Sequence, residues 1–533
     1  MKISIKSCLA GTALGVMMLG QAQVQAQAQA QSGPVHERVI TADMNDRAGT
    51  LDTSWRDCVG ADHAGILLRQ ANSDQLKLVE REIGFRYIRF HGIFNGDTDA
   101  YREIDGRPYY NFDRIDAVYA TALAAGIKPF VEVGFMPSDL ASDTKTIFYW
   151  KGNGSPPKDW TKWSDFITAF TQHLEARFGA DEVRSWRFEI WNEPNLDGFW
   201  TGGSQANYFK LYDVTTRAIK GVDSTLKVGG PATAGASWVP EFLAHAHQAG
   251  TPVDFVTTHS YGVAGGFLDE NGQGDNKLVL DRKSIIDDVE KVRGQIKASA
   301  TPDLPLYITE WSTSYNPRDP IHDAYLSAPF ILNKLKGTHG LAQSMSYWVY
   351  SDLFEEAGPP PTSFHGGFGL INREGIRKSA FFAYKYLAQL GSAELVNHDG
   401  ESWLTRDGDN FAGVIWNYTV PDQNLSNRPY YTRVHPSTAL NPIRLKLASV
   451  RPGTYRLHIY RTGYKANDAY TTYLEWGHPD NLTPEQVRTL QAQTKDTPEI
   501  ERTIVVGSDR RIDQTIAIRT NDVLLVRLDR QPG

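Results

Sequence analysis

Two glutamates in similar surroundings are the residues best suited to chemistry. Glu193 follows the apolar run of RFEIWNEPN and precedes Pro194, which ends a strand ladder by removing an N–H donor. Glu310 closes the run LYITEWS, 117 residues further on. Each alone has a structural reading: Glu193 as a helix-starting acid near a dipole, Glu310 as half of an ion pair. Both at strand ends of one domain fit better as a working pair. Two carboxylates facing one site are what retaining glycoside hydrolysis requires: one attacks the anomeric carbon, while the other protonates the leaving oxygen and later activates water. The two roles need different pKa values at one pH, and the mechanism asks for a separation of ~5–5.5 Å.

The elements that must position this pair are legible between about Thr53 and Gly391. Short β-rich runs alternate with helical periodicities there. YIRFHGIF reads as a strand ending in polar groups, and KPFVEVGF as the next one. Between them NFDRIDAVYATALAAG has apolar residues at 112, 115, 118, 119, 122 and 123. That is helical spacing, with Asn111 as cap and Gly126 as stop. Strands at 185–191, 226–230, 254–260, 305–310 and 343–350 alternate with helices at 162–178, 204–222, 239–249, 282–298, 322–337 and 376–390. With a first strand near Cys58–Ala61 the count comes to about eight β/α units, which predicts a (β/α)8 TIM barrel with insertions. Chemistry in such a barrel sits at the C-terminal strand ends. The polar residues closing the strands are His91, Asn192 with Glu193, His259 with Tyr261, Glu310 and Trp348, so the two glutamates end strands four and seven. GVAGGF at 262–267 lacks the full dinucleotide fingerprint and reads as a flexible active-site loop.

Beyond Gly391 the pattern becomes strands of alternating polarity, from WLTRDG to DVLLVRLD, which predicts an antiparallel β-sandwich. The division is thus 1–30 leader and Gln/Ala tract, 31–54 N-terminal segment, 55–390 barrel and 391–533 sandwich. VHERVITAD at 35–43 is expected to add a strand to the sandwich. A polar helix at 484–493 lies within an insertion at 465–500, which either packs on the barrel or mediates self-association. Trp416 and Tyr418 fit core alternation as well as a binding face.

With 41% hydrophobic and 22% charged residues the chain is globular. The net charge of -7 and the lack of a basic block argue against nucleic acid or anionic membrane as partners. Lys2 and Lys6, the apolar run Cys8–Gly20 and the A-x-A sites of QAQVQAQAQAQ read as a cleavable signal peptide, so a periplasmic or secreted protein is expected. Cleavage would leave Cys58 as a lone thiol, excluding a disulfide scaffold or cysteine zinc site. No HExxH and no P-loop is present, and the site needs neither metal nor organic cofactor. The sequence sets no oligomeric state.

WNEPN, ITEWS and the intervening THSYG resemble the retaining glycosidases of clan A. SYWVYSDLFEE with PPPTSFHGGFGL, and RFHGIF with NFDRIDAVY, narrow the resemblance to glycoside hydrolase family 39, especially its bacterial β-xylosidases. It covers about residues 55–390. The resemblance implies Glu193 as general acid/base, Glu310 as nucleophile and Asn192 as partner of the sugar 2-hydroxyl. His259 and Tyr261 would surround nucleophile and sugar. Tyr315 would hold that carboxylate or a sugar hydroxyl, and His91 would touch the distal hydroxyls. Trp348 would be the stacking floor, Phe199 a wall, and Glu356, rather than adjacent Glu355, the acceptor from the 3- and 4-hydroxyls. The implied substrate is a xylo-oligosaccharide cleaved from its non-reducing end. Arabinoside- and iduronide-cleaving branches of the family are alternatives, and a non-catalytic sugar-binding barrel is a third reading.

Overall fold

The computed structural model describes residues 37–532. The segment expected to be a signal peptide, with Cys8, lies outside the described residues. Eight parallel strands close a barrel in chain order: Cys58–His63, Tyr87–His91, Lys128–Val133, Arg187–Ile190, Lys227–Thr233, Phe255–Tyr261, Leu306–Ser312 and Ser344–Tyr347. The last closes on the first through Tyr347 opposite Val59. Strand residues are buried almost throughout, because helices cover the outside and side chains fill the inside.

The helices show why these segments fold as they do. Asp159 caps Trp160–Phe178 by accepting from the amides of Thr161 (2.9 Å) and Lys162 (3.1 Å). Trp163, Phe166, Ile167, Phe170 and Leu174 then form one buried face at helical spacing. The helix stops at Gly179, whose φ of +90° suits a residue without Cβ. Helix Asp113–Ala124 begins where Asn111 Oδ1 accepts from the Asp113 amide at 3.0 Å.

Register shifts interrupt four strand pairings near their C-terminal ends: at Gly60/His63, Pro231/Thr233, Thr258/His259 and Ile308/Trp311. Such irregularities re-aim side chains at the end of a ladder. Here they bring His259 directly opposite Glu310. The segment read as a flexible loop at 262–267 is instead one arm of a hairpin, Val263–Leu268 paired antiparallel with Gly274–Leu278.

The second domain has a seven-stranded sheet and a three-stranded sheet. Arg38–Asp43 joins the smaller one, and its pairing with Ile443–Ala448 is parallel, so this pair departs from the antiparallel pattern. Trp416 and Tyr418 are buried, which removes the binding-face reading for them. The insertion packs on the barrel: Tyr470, Tyr473, Leu474 and Leu490 form one cluster with Phe364 and Ile376.

Candidate active site

Glu193 and Glu310 meet at the C-terminal mouth of the barrel. One oxygen of each lies within 4.8 Å of the other and of a His259 ring nitrogen. Both side chains line a cavity of about 810 Å³. The chain reaches Glu193 through two non-glycine residues in the left-handed region, Trp191 (φ +73°) and Glu193 itself (φ +44°). Such conformations cost about 1–3 kcal/mol and persist where surroundings over-determine them. Here the Glu193 amide donates to Ala232 O at 2.8 Å, and the Trp191 indole donates to Phe199 O at 2.8 Å.

Different partners give the two carboxylates different characters. Arg89 Nη1 donates to Glu310 Oε1 at 2.7 Å, and the Tyr261 hydroxyl donates to Oε2 at 2.7 Å. Both oxygens are therefore fixed. Glu193 has one close partner, His259 Nδ1, at 2.9 Å from Oε1. Burial pushes the Glu193 carboxyl up to about 7, against the pull of His91 and Arg89. Burial pushes His259 down to about 4, so its ring is neutral near pH 7. In its Nδ1–H tautomer His259 donates to Oε1 and leaves Oε2 for a transferable proton.

A buried charge network lies beneath the pair. The fully buried Arg89 also contacts Glu189 Oε2 (2.5 Å), Asn192 Oδ1 (2.8 Å) and Glu132 Oε2 (2.9 Å). Burial disfavours its charge, but Glu189, Glu132 and Glu310 more than offset this. His91 Nδ1 meets Glu132 at 2.7 Å, and its Nε2 lies 3.4 Å from Glu356. Burial opposes a charge on His91, yet Glu132 and its neighbours hold the ring well above its ordinary value. Burial also raises Glu356 to about 7, with His91 opposing. Glu193, His259 and Glu310 have the spacing of a metal-ligand set. One of them, Glu310, is already paired with the Arg89 guanidinium at 2.7 Å.

Trp348 lies over Gly60 of the first strand, where any Cβ would overlap the indole. It packs on His91 with ring centres 4.7 Å apart. Behind it the loop 366–369 is tied to a buried ion triad. Lys378 Nζ contacts Asp323 (2.6 Å), Asp352 (2.9 Å) and Gly367 O (2.7 Å). Those aspartates accept from the amides of Gly366 (2.7 Å) and Gly369 (2.6 Å). Phe368 thereby closes one side of the cavity.

Comparison with known proteins agrees with this geometry. The profile described as Glycosyl hydrolases family 39 matches residues 38–509. The chain belongs to glycosyl hydrolase family 39. It is 44% identical to a Beta-xylosidase of Geobacillus stearothermophilus over 391 residues, covering 72% of this chain and 77% of that one. It is 41% identical to a Beta-xylosidase of Caldicellulosiruptor saccharolyticus, covering 67% and 72%. A monomeric beta-xylosidase from Caulobacter crescentus CB15 superposes with a TM-score of 0.91 at 52% identity, covering 93% of this chain and 100% of that one.

In this family 39 glycoside hydrolase the cavity is lined by Glu193, Glu310, His91, Asn192, Phe199, Tyr261, Tyr315, Trp348 and Glu356. His259 lies fully buried behind Glu193. Glu355 instead turns to Arg69, with contacts of 2.5 and 2.8 Å. The reading of Tyr315 as a holder of the nucleophile's carboxylate fails. Its hydroxyl donates to Asn276 Oδ1 at 2.9 Å, and Tyr261 fills that place on Glu310. Arg89, Glu132, Glu189 and Phe148 are further members that sequence reasoning passed over. Three of them carried a signal: in a strand i and i+2 share a face, so Arg89 faces inward with His91, and Glu132 and Glu189 are charges flanked by apolar residues within the strands KPFVEV and RFEI.

Proposed function

We propose that this glycoside hydrolase is a retaining exo-β-xylosidase, releasing xylose from the non-reducing ends of xylo-oligosaccharides. The observation that carries the retaining mechanism is that one oxygen of Glu193 lies within 4.8 Å of one of Glu310, short of the ~6.5–9.5 Å that an inverting pair needs to hold its water. Glu310, with both oxygens fixed, attacks the anomeric carbon as the glycosidic C–O bond breaks. Glu193, protonated because burial holds it at about 7, gives its proton to the leaving oxygen. It then takes a proton from water, which attacks the same carbon and returns Glu310 as carboxylate. Asn192, beside the acid and bonded to Arg89, faces the 2-hydroxyl. His91 and Glu356 take the distal hydroxyls.

Xylose is supported by the relatives named Beta-xylosidase and by the cavity's chemistry. No Lys or Arg lines the cavity among the described residues, and buried Arg89 is already engaged by three carboxylates. The charged His91 of the lining is likewise taken, by Glu132 at 2.7 Å, so an iduronide would bring a carboxylate with no free cation to meet it, which is costly. A neutral sugar avoids that cost.

The role assignment predicts two unlike variants. Glu310→Ala loses turnover by roughly three orders of magnitude or more on every xyloside. Glu193→Ala slows xylobiose by about 10²–10⁴-fold but spares the first step with aryl xylosides, whose leaving groups need no proton. Steady-state kinetics on both substrates test this. Wild-type rates in Glu310→Ala would overturn the assignment.

A further inference from the structure

The hairpin Val263–Leu268/Gly274–Leu278 and the loop after strand seven form one wall of the cavity through Val263, Tyr315 and Pro317. Tyr315 is 48% exposed, so its ring stands at the mouth rather than the floor. Two contacts fix it. Its hydroxyl donates to Asn276 on the hairpin at 2.9 Å. A Cβ at Gly265 would overlap that hydroxyl, so the hairpin backbone lies directly against it.

What holds the hairpin comes from the other domain. Asn427, fully buried, belongs to the segment between sandwich strands. Its Oδ1 accepts from the Leu278 amide at 2.9 Å and from Gln423 at 2.8 Å. Its Nδ2 donates to Asp319 Oδ2 at 2.7 Å, in the loop that carries Tyr315. Next to it, the Arg428 amide donates to Asp275 at 2.9 Å, and the Arg428 guanidinium donates to Asp269 at 2.5 Å. The Ser426 hydroxyl donates to Leu268 O at 3.0 Å. One carboxamide thus ties the hairpin to the strand-seven loop. Its chemistry is specific. Aspartate keeps the acceptor but loses the donor and faces Asp319 with like charge, and an apolar residue orphans buried partners on both sides.

We propose that Asn427 is a positioning residue: from the second domain it sets the wall, with Tyr315 at its edge, that grips the part of the oligosaccharide beyond the cleaved sugar. This rests on the glycosidase reading above. Chemistry at Glu193 and Glu310 is untouched by the strut. Its loss therefore falls on the binding of longer substrates and not on the chemical step.

The test uses the full chain and two readouts. In Asn427→Asp, amides of 263–278 exchange faster with deuterium while the barrel strands keep their protection. KM for xylotriose rises about fivefold at unchanged kcat, the worth of one orienting hydrogen bond. Both constants for an aryl β-D-xyloside stay within about twofold. Adding Asn427→Asp to Tyr315→Ala costs xylotriose nothing further, because the wall is already open. Arg428→Met, at a partly exposed side chain, carries the same expectations in weaker form and serves if the buried variant does not fold. Unchanged hairpin protection, equal losses on the two substrates, or multiplicative losses in the double variant would each overturn the proposal. If the wild-type chain cleaved neither xyloside, the glycosidase reading would fall, and the exchange experiment would still decide the strut.

Discussion

At the residue scale the site works by giving two similar carboxyl groups unlike surroundings. Glu193 must carry its proton to act as an acid, and it stays protonated until pH passes about 7. The sign follows: kcat/KM falls as pH rises beyond about 7. Glu356 sits at about 7 as well, so the profile needs a control. Glu356→Gln should raise KM and keep the basic limb; a limb lost in that variant would assign it to Glu356 instead. The two principal glutamates were legible because each lies near the C-terminal end of a β-rich run, Glu193 just past Arg187–Ile190 and Glu310 two residues before the end of Leu306–Ser312, where a barrel carries its chemistry. Arg89 was legible only as an inward-facing neighbour of His91, and it is its three carboxylate partners that make it central. Glu132 and Glu189 come from two other strands, and no local pattern links them to it. Of the two roles expected of Tyr315, the nucleophile's carboxylate goes to Tyr261 instead, since sequence spacing does not show which tyrosine reaches Glu310.

At the scale of elements, strands and helices with their own pattern were readable, and those held by other parts of the molecule were not. Helix Asp113–Ala124 carries its own apolar face and an asparagine just before it that accepts from its first amide, and the barrel strands are short β-rich runs. The hairpin at 263–278 has neither. One arm is glycine-rich, the other is GDNKL, and its stability comes from bonds to Ser426, Asn427 and Arg428 that lie far off in sequence. Close approach between elements gives a further expectation. Trp348 rests on Gly60, where a Cβ would overlap its ring. Gly60→Ala should therefore cost about 1–3 kcal/mol by overpacking and raise KM by displacing the indole from His91. Gly221, within helix Gln205–Val222, has nothing within 4 Å of its Cβ position. There alanine should add about 0.5–1 kcal/mol of stability and leave kinetics alone. Calorimetry with xyloside kinetics on both variants checks the contrast. A Gly60→Ala protein matching the wild type would show that the indole is not seated as described.

At the scale of the whole molecule, the two domains share one active-site wall. The second domain has its own core. Its insertion also joins the barrel's Phe364 and Ile376 in a further cluster, and its 423–428 segment reaches the cavity's hairpin. The (β/α)8 order was visible in sequence because each strand and helix announces itself. The parallel seating of Arg38–Asp43 on Ile443–Ala448 was not, since pairing partners 405 residues apart leave no local trace. The assembled molecule presents a closed-floored cavity with no Lys or Arg in its lining and two carboxylates that approach within 4.8 Å. Proton NMR of the first sugar released from an aryl β-D-xyloside examines that arrangement in one experiment. A retaining β-xylosidase gives β-xylose first, with the α-anomer growing in only by mutarotation. If α-xylose appeared first, the double displacement through Glu310 would be wrong, and if no xylose were released at all, the sugar assignment would be.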